Sequence, residues 1–167
     1  MSDDLSPRLA LPLLSAGQAQ KETTHNEALA LLDLLAQAVV IAVGVNVPPE
    51  APAAGQCWIV GAAPEGLWAG HMQALAGWTG GGWRFCLPVP GMHVWSLADG
   101  VEARYEEGGW AVGMARAVQL EIGGMQVVGP RQPSIAEPVA GAVIDYEARA
   151  TISAILAALH THGLVAV

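Results

Sequence analysis

The side chains that could do chemistry are unevenly distributed. All six tryptophans lie between Trp58 and Trp110, and Gly55 to Gly113 hold thirteen of the twenty glycines. A flat indole can stack on a sugar ring while its N–H and neighbouring carboxylates bond the hydroxyls; its competing use is to fill a core or an interface. Strand parity sets Trp58, Trp83 and Trp95 opposite Cys57, Arg84 and Val94, and these three are expected in the core. Trp68, Trp78 and Trp110 border glycines at strand ends. They are the candidate carbohydrate-binding residues, expected on an exposed rim.

The other reactive groups form no constellation. Asp99, Glu102, Glu106 and Glu107 could supply the paired carboxylates of a glycosidase, but they fall on a predicted hairpin, where solvated acids are ordinary. His71 and His93 lack an Asp, Glu or Cys cluster at ligand spacing, and His160 and His162 point to different sides of a helix, so a metal would have to be shared across subunits. Ser15, Ser96, Ser134 and Ser153 have no nucleophile-elbow context, and no phosphate-binding glycine loop precedes a helix. Cys57 and Cys86, the only cysteines, are too far apart for a CxxC site and read as buried thiols beside Trp58 and Phe85, with a late disulfide as the alternative. The expectation is a protein that is not an enzyme, with no catalytic residue, no resident metal and no cofactor.

Composition narrows the class further. A chain of 167 residues can bury about 70% of its unfolded surface without a disulfide or metal. Charged residues make up 13% and apolar ones 53%, with a mean hydropathy of +0.40, a balance that points to surface covered by partner subunits or to an alanine-rich genome. The net charge is −8, Lys21 is the only lysine, and the six arginines are scattered singly. No basic patch serves nucleic acid or anionic lipid. The apolar run Ala28 to Val47 carries Asp33 and Gln37 and changes from helical to β-branched character at Val39, so two elements explain it better than a membrane span. The N-terminus, with Asp3 and Asp4 and no basic region, does not read as a signal peptide, and folding in the cytoplasm is expected.

These residues need an α+β frame. An N-terminal arm and helix with a first strand is expected over 1–47, a small Trp/Gly-rich antiparallel β module over 48–114, and a connector with a C-terminal oligomerisation helix over 115–167. Pro7 and Pro12 interrupt an apolar string, suggesting an arm laid along another surface. Thr24 with Glu27 has capping-box spacing for a helix to about Gln37, with an earlier start near Gln18 as the alternative. One strand is predicted over Val39 to Val45. Six more are predicted over Gln56 to Val60, Met72 to Trp78, Gly82 to Leu87, His93 to Leu97, Val101 to Tyr105 and Trp110 to Met114. The run Trp68 to Ala76 is equally consistent with a short helix. Turns are expected at Gly80 to Gly82, at Asp99-Gly100 and at Gly108-Gly109, and a hairpin within Val118 to Val128 broken at Gly123-Gly124. Asp145 should cap a final helix to about His162, closed by Gly163. On it Ala148, Ile152, Ile155, Leu159 and His162 make a two-heptad seam, and Ile152, Ile155 and Leu159 are the candidate oligomerisation residues. Isoleucine-rich seams lean towards three or more strands.

Three stretches together carry a family resemblance. Residues 11–29 (LPLLSAGQAQKETTHNEAL) form the first, with AGQAQK at 16–21 and HNE at 25–27 as its specific part. The second comprises GQCWIVG at 55–61, GLWAGH at 66–71, GGWRF at 81–85 and PVPGMHVW at 88–95. They resemble an uncharacterised domain family of alphaproteobacterial prophages and gene transfer agents, found in tail-fibre-like and head-spike proteins. The third, VVGPRQPSIA at 127–136 with ISAILAALHTHGL at 152–164, is similar to the C-terminal tails of phage fibre proteins, which often assemble as trimers. Here Pro130, Pro133 and Pro138 occupy the connector, and His160 stands where a basic residue is more usual.

The resemblance implies a structural subunit of a phage-like particle: a homo-oligomeric head-spike or fibre base, assembled in the bacterial cytoplasm and displayed on the particle surface, supporting attachment to host cells. A trimer is favoured, with a pentamer as the alternative. The implied partners are further copies, a capsid or tail protein, a second fibre protein and cell-surface polysaccharide; nucleic acid and membrane insertion are not expected. The alternative is a carbohydrate-binding adhesin touching capsular or envelope polysaccharide directly through exposed tryptophans.

Overall fold

In the computed structural model, residues 5–15, 21–139 and 141–166 are described. The chain divides into two compact units, 1–114 and 115–167, and its class is α+β.

In the first unit, helix α1 (Lys21–Leu35) is followed by β1 (Val39–Val40), β2 (Val43–Val45), β3 (Cys57–Val60), a 3-10 turn (Gly66–Trp68), β4 (Leu75–Thr79), β5 (Gly82–Cys86), β6 (His93–Ser96), β7 (Val101–Glu106) and β8 (Gly109–Val112). The short strands after α1 complete the sheets formed by the strands downstream, within the unit 1–114. β2 pairs parallel with β3 in the first sheet, ordered β2-β3-β4-β5, and β1 pairs parallel with β6 in the second, ordered β1-β6-β7-β8. The single strand expected over Val39 to Val45 is therefore two strands in different sheets. The pivot, Ile41 and Ala42, bonds both ways: Ile41 N donates to Cys57 O at 2.7 Å, while Ala98 N donates to Ile41 O at 3.0 Å.

The two sheets repeat one plan, each a parallel edge strand followed by an antiparallel meander. Val43 faces Ile59 as Val39 faces Trp95, Trp58 faces Ala76 as Val94 faces Ala103, and Trp78 faces Trp83 as Tyr105 faces Trp110. The tight turns match as well. Thr79 pairs with Gly82 around Gly80-Gly81, and Glu106 pairs with Gly109 around Glu107-Gly108. The latter turn sits one residue before the expected Gly108-Gly109, because Gly108 (φ 94°) takes the left-handed position. The connection between β6 and β7 spans Leu97 to Gly100 rather than a two-residue Asp99-Gly100 turn, since Ser96 pairs with Val101.

Stacking of the sheets makes the main core. Cys57, Ile59 and Leu75 of the first sheet meet Val40, Val94 and Ala103 of the second, with Leu34 and Ala38 closing one side. Gly77 is required where α1 lies on the sheet, as a Cβ there would stand 2.5 Å from Leu34 Cδ1. The opposite face of the first sheet carries a second cluster of Trp58, Val60, Trp68 and Ala76, joined by Trp83 and Phe85.

The arm lies on its own chain. Asp33, buried within α1, accepts hydrogen bonds from Ser6 Oγ (2.5 Å), Arg8 N (3.1 Å) and Leu9 N (2.7 Å). The Arg8 guanidinium reaches the carbonyls that end the helix: Asp33 O, Leu34 O (3.2 Å) and Gln37 O (2.9 Å). Such carbonyls lack partners inside a helix, and a cation there also complements the helix dipole. Thr24 lies inside α1 rather than capping it; the alternative start near Gln18 lies outside the described residues.

The second unit contains β9 (Leu120–Ile122), β10 (Met125–Val128) and α2 (Tyr146–Thr161). Gly123 (φ 60°) and Gly124 (φ 77°) turn the hairpin, as a mirror-image two-residue turn requires. Asp145 caps α2 by accepting from Ala148 N at 2.9 Å, and Gly163 (φ 70°) follows its end. The connector runs back along one side of α2. Gln132 pairs with Val165, Arg149 Nη1 donates to Pro138 O (3.3 Å), and Ser153 Oγ donates to Glu137 (2.5 Å). Among the described residues, no helix in either unit is long and apolar enough to cross a membrane.

Candidate functional site

The tryptophans separate into three environments. Trp58, Trp68 and Trp83 pack together with ring centroids 5.1–6.2 Å apart, and Trp78 sets its ring against Trp83 at 5.1 Å and 67°. Trp68, expected on the rim, is 0% exposed. The 3-10 turn folds the long connection between β3 and β4 back over the sheet and drives its indole between Trp58 and Trp83. It presents no face to a ligand. Its Nε1 is buried without a hydrogen-bond partner. Trp58 is buried and Trp83 half-buried.

The second environment is the Tyr105–Trp110 pair, 5.5 Å apart at 61°. Trp110 Nε1 donates to Gln73 O at 2.9 Å, and Gln73 Nε2 donates to Gly108 O at 3.1 Å, tying the β7–β8 turn to the segment before β4. Trp78 and Trp110 are each half-buried, with one ring edge against Trp83 and Tyr105 respectively.

Trp95 is the third case. Expected in the core, it is 43% exposed. Parity along β6 does separate the two sides, burying Val94 and Ser96 and exposing His93 and Trp95. What parity could not tell is which side another layer covers, and among the described residues of the first unit none lies over the outer side of the second sheet. A shallow pocket of about 320 Å³ lies there, lined by Leu35, Gln37, Ala38, Val39, His93, Trp95 and Glu102. Gln37 on its rim has a left-handed backbone (φ 47°), a conformation non-glycine residues rarely hold. It follows the end of α1, where a left-handed residue commonly terminates a helix, and Arg8 Nη2 donates to its carbonyl at 2.9 Å.

The acids do not converge. Ser96 Oγ donates to Asp99 Oδ2 at 2.5 Å, so Asp99 secures the β6–β7 turn, while Glu102 lies on the outer sheet face and Glu107 in the β7–β8 turn. His71 stacks on Phe85 with centroids 3.6 Å apart. Among the described residues, no three His, Cys, Asp or Glu side chains are grouped to hold a metal ion. Cys57 and Cys86 are both free thiols, the first buried and the second half-buried. Burial pushes the Cys57 thiol up to about 11, opposed by Arg8 and assisted by Asp33 and Cys86. Burial also raises Cys86, with Glu27 adding to it. Both sulfurs are held as unreactive thiols.

In the second unit, Ile152 and Ile155 are exposed and Leu159 is half-buried. The connector lies along Arg149 and Ser153, one residue round the helix from this seam, and leaves the seam open.

The HNE stretch at 25–27 has a positioning use. Asn26 accepts from Leu14 N and donates to Leu14 O, both at 2.9 Å, and Glu27 pairs with Arg84 at 2.6 Å. Helix, arm and sheet are joined by these contacts.

No curated protein matches the chain. A family model described as a protein of unknown function (DUF2793) matches residues 25–111, from the HNE stretch of α1 through both sheets to β8. That match spans just over half of the chain, and the protein belongs to the DUF2793 family.

Proposed function

We propose that the chain is a structural, self-associating subunit of an appendage on a phage-like particle or gene transfer agent, a head-spike or fibre base that supports attachment to host cells. The observation carrying this reading is the state of the second unit. It has 53 residues, fewer than usually sustain a core, and among those described its buried apolar side chains are Leu156 and Val165. Val118, Ile122, Met125, Val143 and Ile155 are all exposed by more than half. A hairpin and helix with so little interior need other copies to cover them, and the seam of Ile152, Ile155 and Leu159 is the surface for it. The resemblance of residues 11–29 and of the C-terminal stretches to spike and fibre proteins supports the particle context. The partners on this reading are further copies, a capsid or tail protein and a second fibre protein.

Sedimentation equilibrium of the purified chain tests the assembly. A trimer is expected, and Ile155→Asp should yield monomer at the same micromolar concentration because it places a charge in each copy of the seam. A wild-type chain that sediments as monomer would overturn the reading.

A further inference from the structure

We infer that the outer face of the second sheet is a carbohydrate subsite, with Trp95 as the platform for one pyranose ring of a surface polysaccharide. The inference rests on the attachment role proposed above and places its glycan contact away from Trp68, Trp78 and Trp110.

The repeat between the sheets makes Trp95 anomalous. Positions Cys57, Ile59, Leu75 and Gly77 of the first sheet correspond by register to His93, Trp95, Glu102 and Arg104 of the second. In the first sheet these positions are covered by the second sheet and by α1. Among the described residues of the first unit no further layer follows the second sheet, and three of the four are polar or charged and exposed, as on the outer face of any last layer in a stack. The fourth is a tryptophan, 43% exposed, where a polar residue would complete the pattern. A partly exposed tryptophan on a mostly polar face offers a ligand a flat apolar surface together with an N–H.

The surroundings choose the ligand. Another sheet stacked here would have to bury the charges of Glu102 and Arg104, which is costly unless it brings partners for them. The chain carries −8 and Glu102 is beside the indole, which disfavours the phosphates of a nucleotide or nucleic acid. A pyranose meets both constraints: its C–H face stacks on the indole, and its equatorial hydroxyls reach carboxylate, imidazole and amide groups around the rim. Glu102 faces Trp95 across β6–β7, His93 lies two residues along the strand, and Gln37 stands on the rim. The pocket, at about 320 Å³, sits at the small end of ligand sites.

The test prints bacterial capsular and O-antigen polysaccharides of defined structure on an array, probes it with the full-length chain, and then titrates an oligosaccharide fragment of the strongest hit. Wild type should bind at least one. Trp95→Ala should weaken the fragment's affinity at least about tenfold, Trp95→Phe should recover part of it, and Glu102→Gln should lower it severalfold. Failure of wild type to bind any printed polysaccharide, or wild-type affinity in Trp95→Ala, overturns the subsite. A change of assembly size in Trp95→Ala without glycan binding by wild type would identify the face as a subunit contact instead. Ile155→Asp separates the two proposals: its monomer should keep the fragment's affinity. If wild type is already monomeric yet binds through Trp95, the appendage reading fails and the subsite stands.

Discussion

The two sheets of the first unit share strand order, register and turn position, yet differ in what covers them. Both faces of the first sheet are enclosed, one by the Trp68 turn and the other by α1 and the second sheet. The second sheet has one enclosed face and one open to water. The difference arises in the connections. Between β3 and β4 the chain has 14 residues to fold a tryptophan back over the sheet, whereas Leu97 to Gly100 between β6 and β7 make only a turn. Equal backbones thus acquire unequal side chains: β3 reads apolar throughout, while β6 alternates. A shared scaffold with one sealed and one open surface separates stability from recognition, and that separation can be broken experimentally.

The largest expected effect is at the seal. Trp68→Ala empties the centre of the indole cluster and should cost about 3–5 kcal/mol in chemical denaturation, against about 1–2 kcal/mol for Trp95→Ala on the open face, where Trp95 is 43% exposed. Equal losses would mean that the second sheet is also covered. Next comes the close approach of α1. Gly77→Ala drives a methyl into Leu34 and should cost about 1–3 kcal/mol, whereas Arg104→Ala, its register counterpart, should be near neutral by the same measurement. The smallest effect is electrostatic and appears with pH. The Cys57 thiol titrates near 9 when unfolded and about 11 when folded, so the unfolded chain loses its proton first. The stability held below pH 9 is lost progressively as the pH rises towards 11, by about 1 kcal/mol at pH 10. Cys57→Ala should flatten that slope. A wild-type stability that stays level across this window would show that Cys57 is not sealed.

Much of the architecture could be read from the chain. Asp145, Gly163 and Gly123-Gly124 marked the ends of α2 and the centre of the last hairpin, because caps and mirror-image turns depend on local backbone chemistry. The strands of the Trp-rich region were legible to within a few residues from glycine punctuation. Their repeat is faint in the sequence, carried by Gly81-Gly82-Trp83 and Gly108-Gly109-Trp110, each at the same offset from an aromatic. Trp68 and Trp95 exchanged roles, Trp68 buried and Trp95 exposed, for a different reason. A glycine next to a tryptophan describes the local backbone, but exposure depends on what lies above it.

The sequence by itself determined the secondary-structure class, the capped C-terminal helix with its apolar seam, and a β region rich in tryptophan, since these follow from local preference and short-range periodicity. Tertiary structure decided that Val39 to Val45 would divide between two sheets, that Asp33 would be buried and satisfied by the arm, and that Trp95 rather than Trp68 would meet solvent. Each of those outcomes depends on contacts between residues far apart in the chain, which no window along the sequence contains.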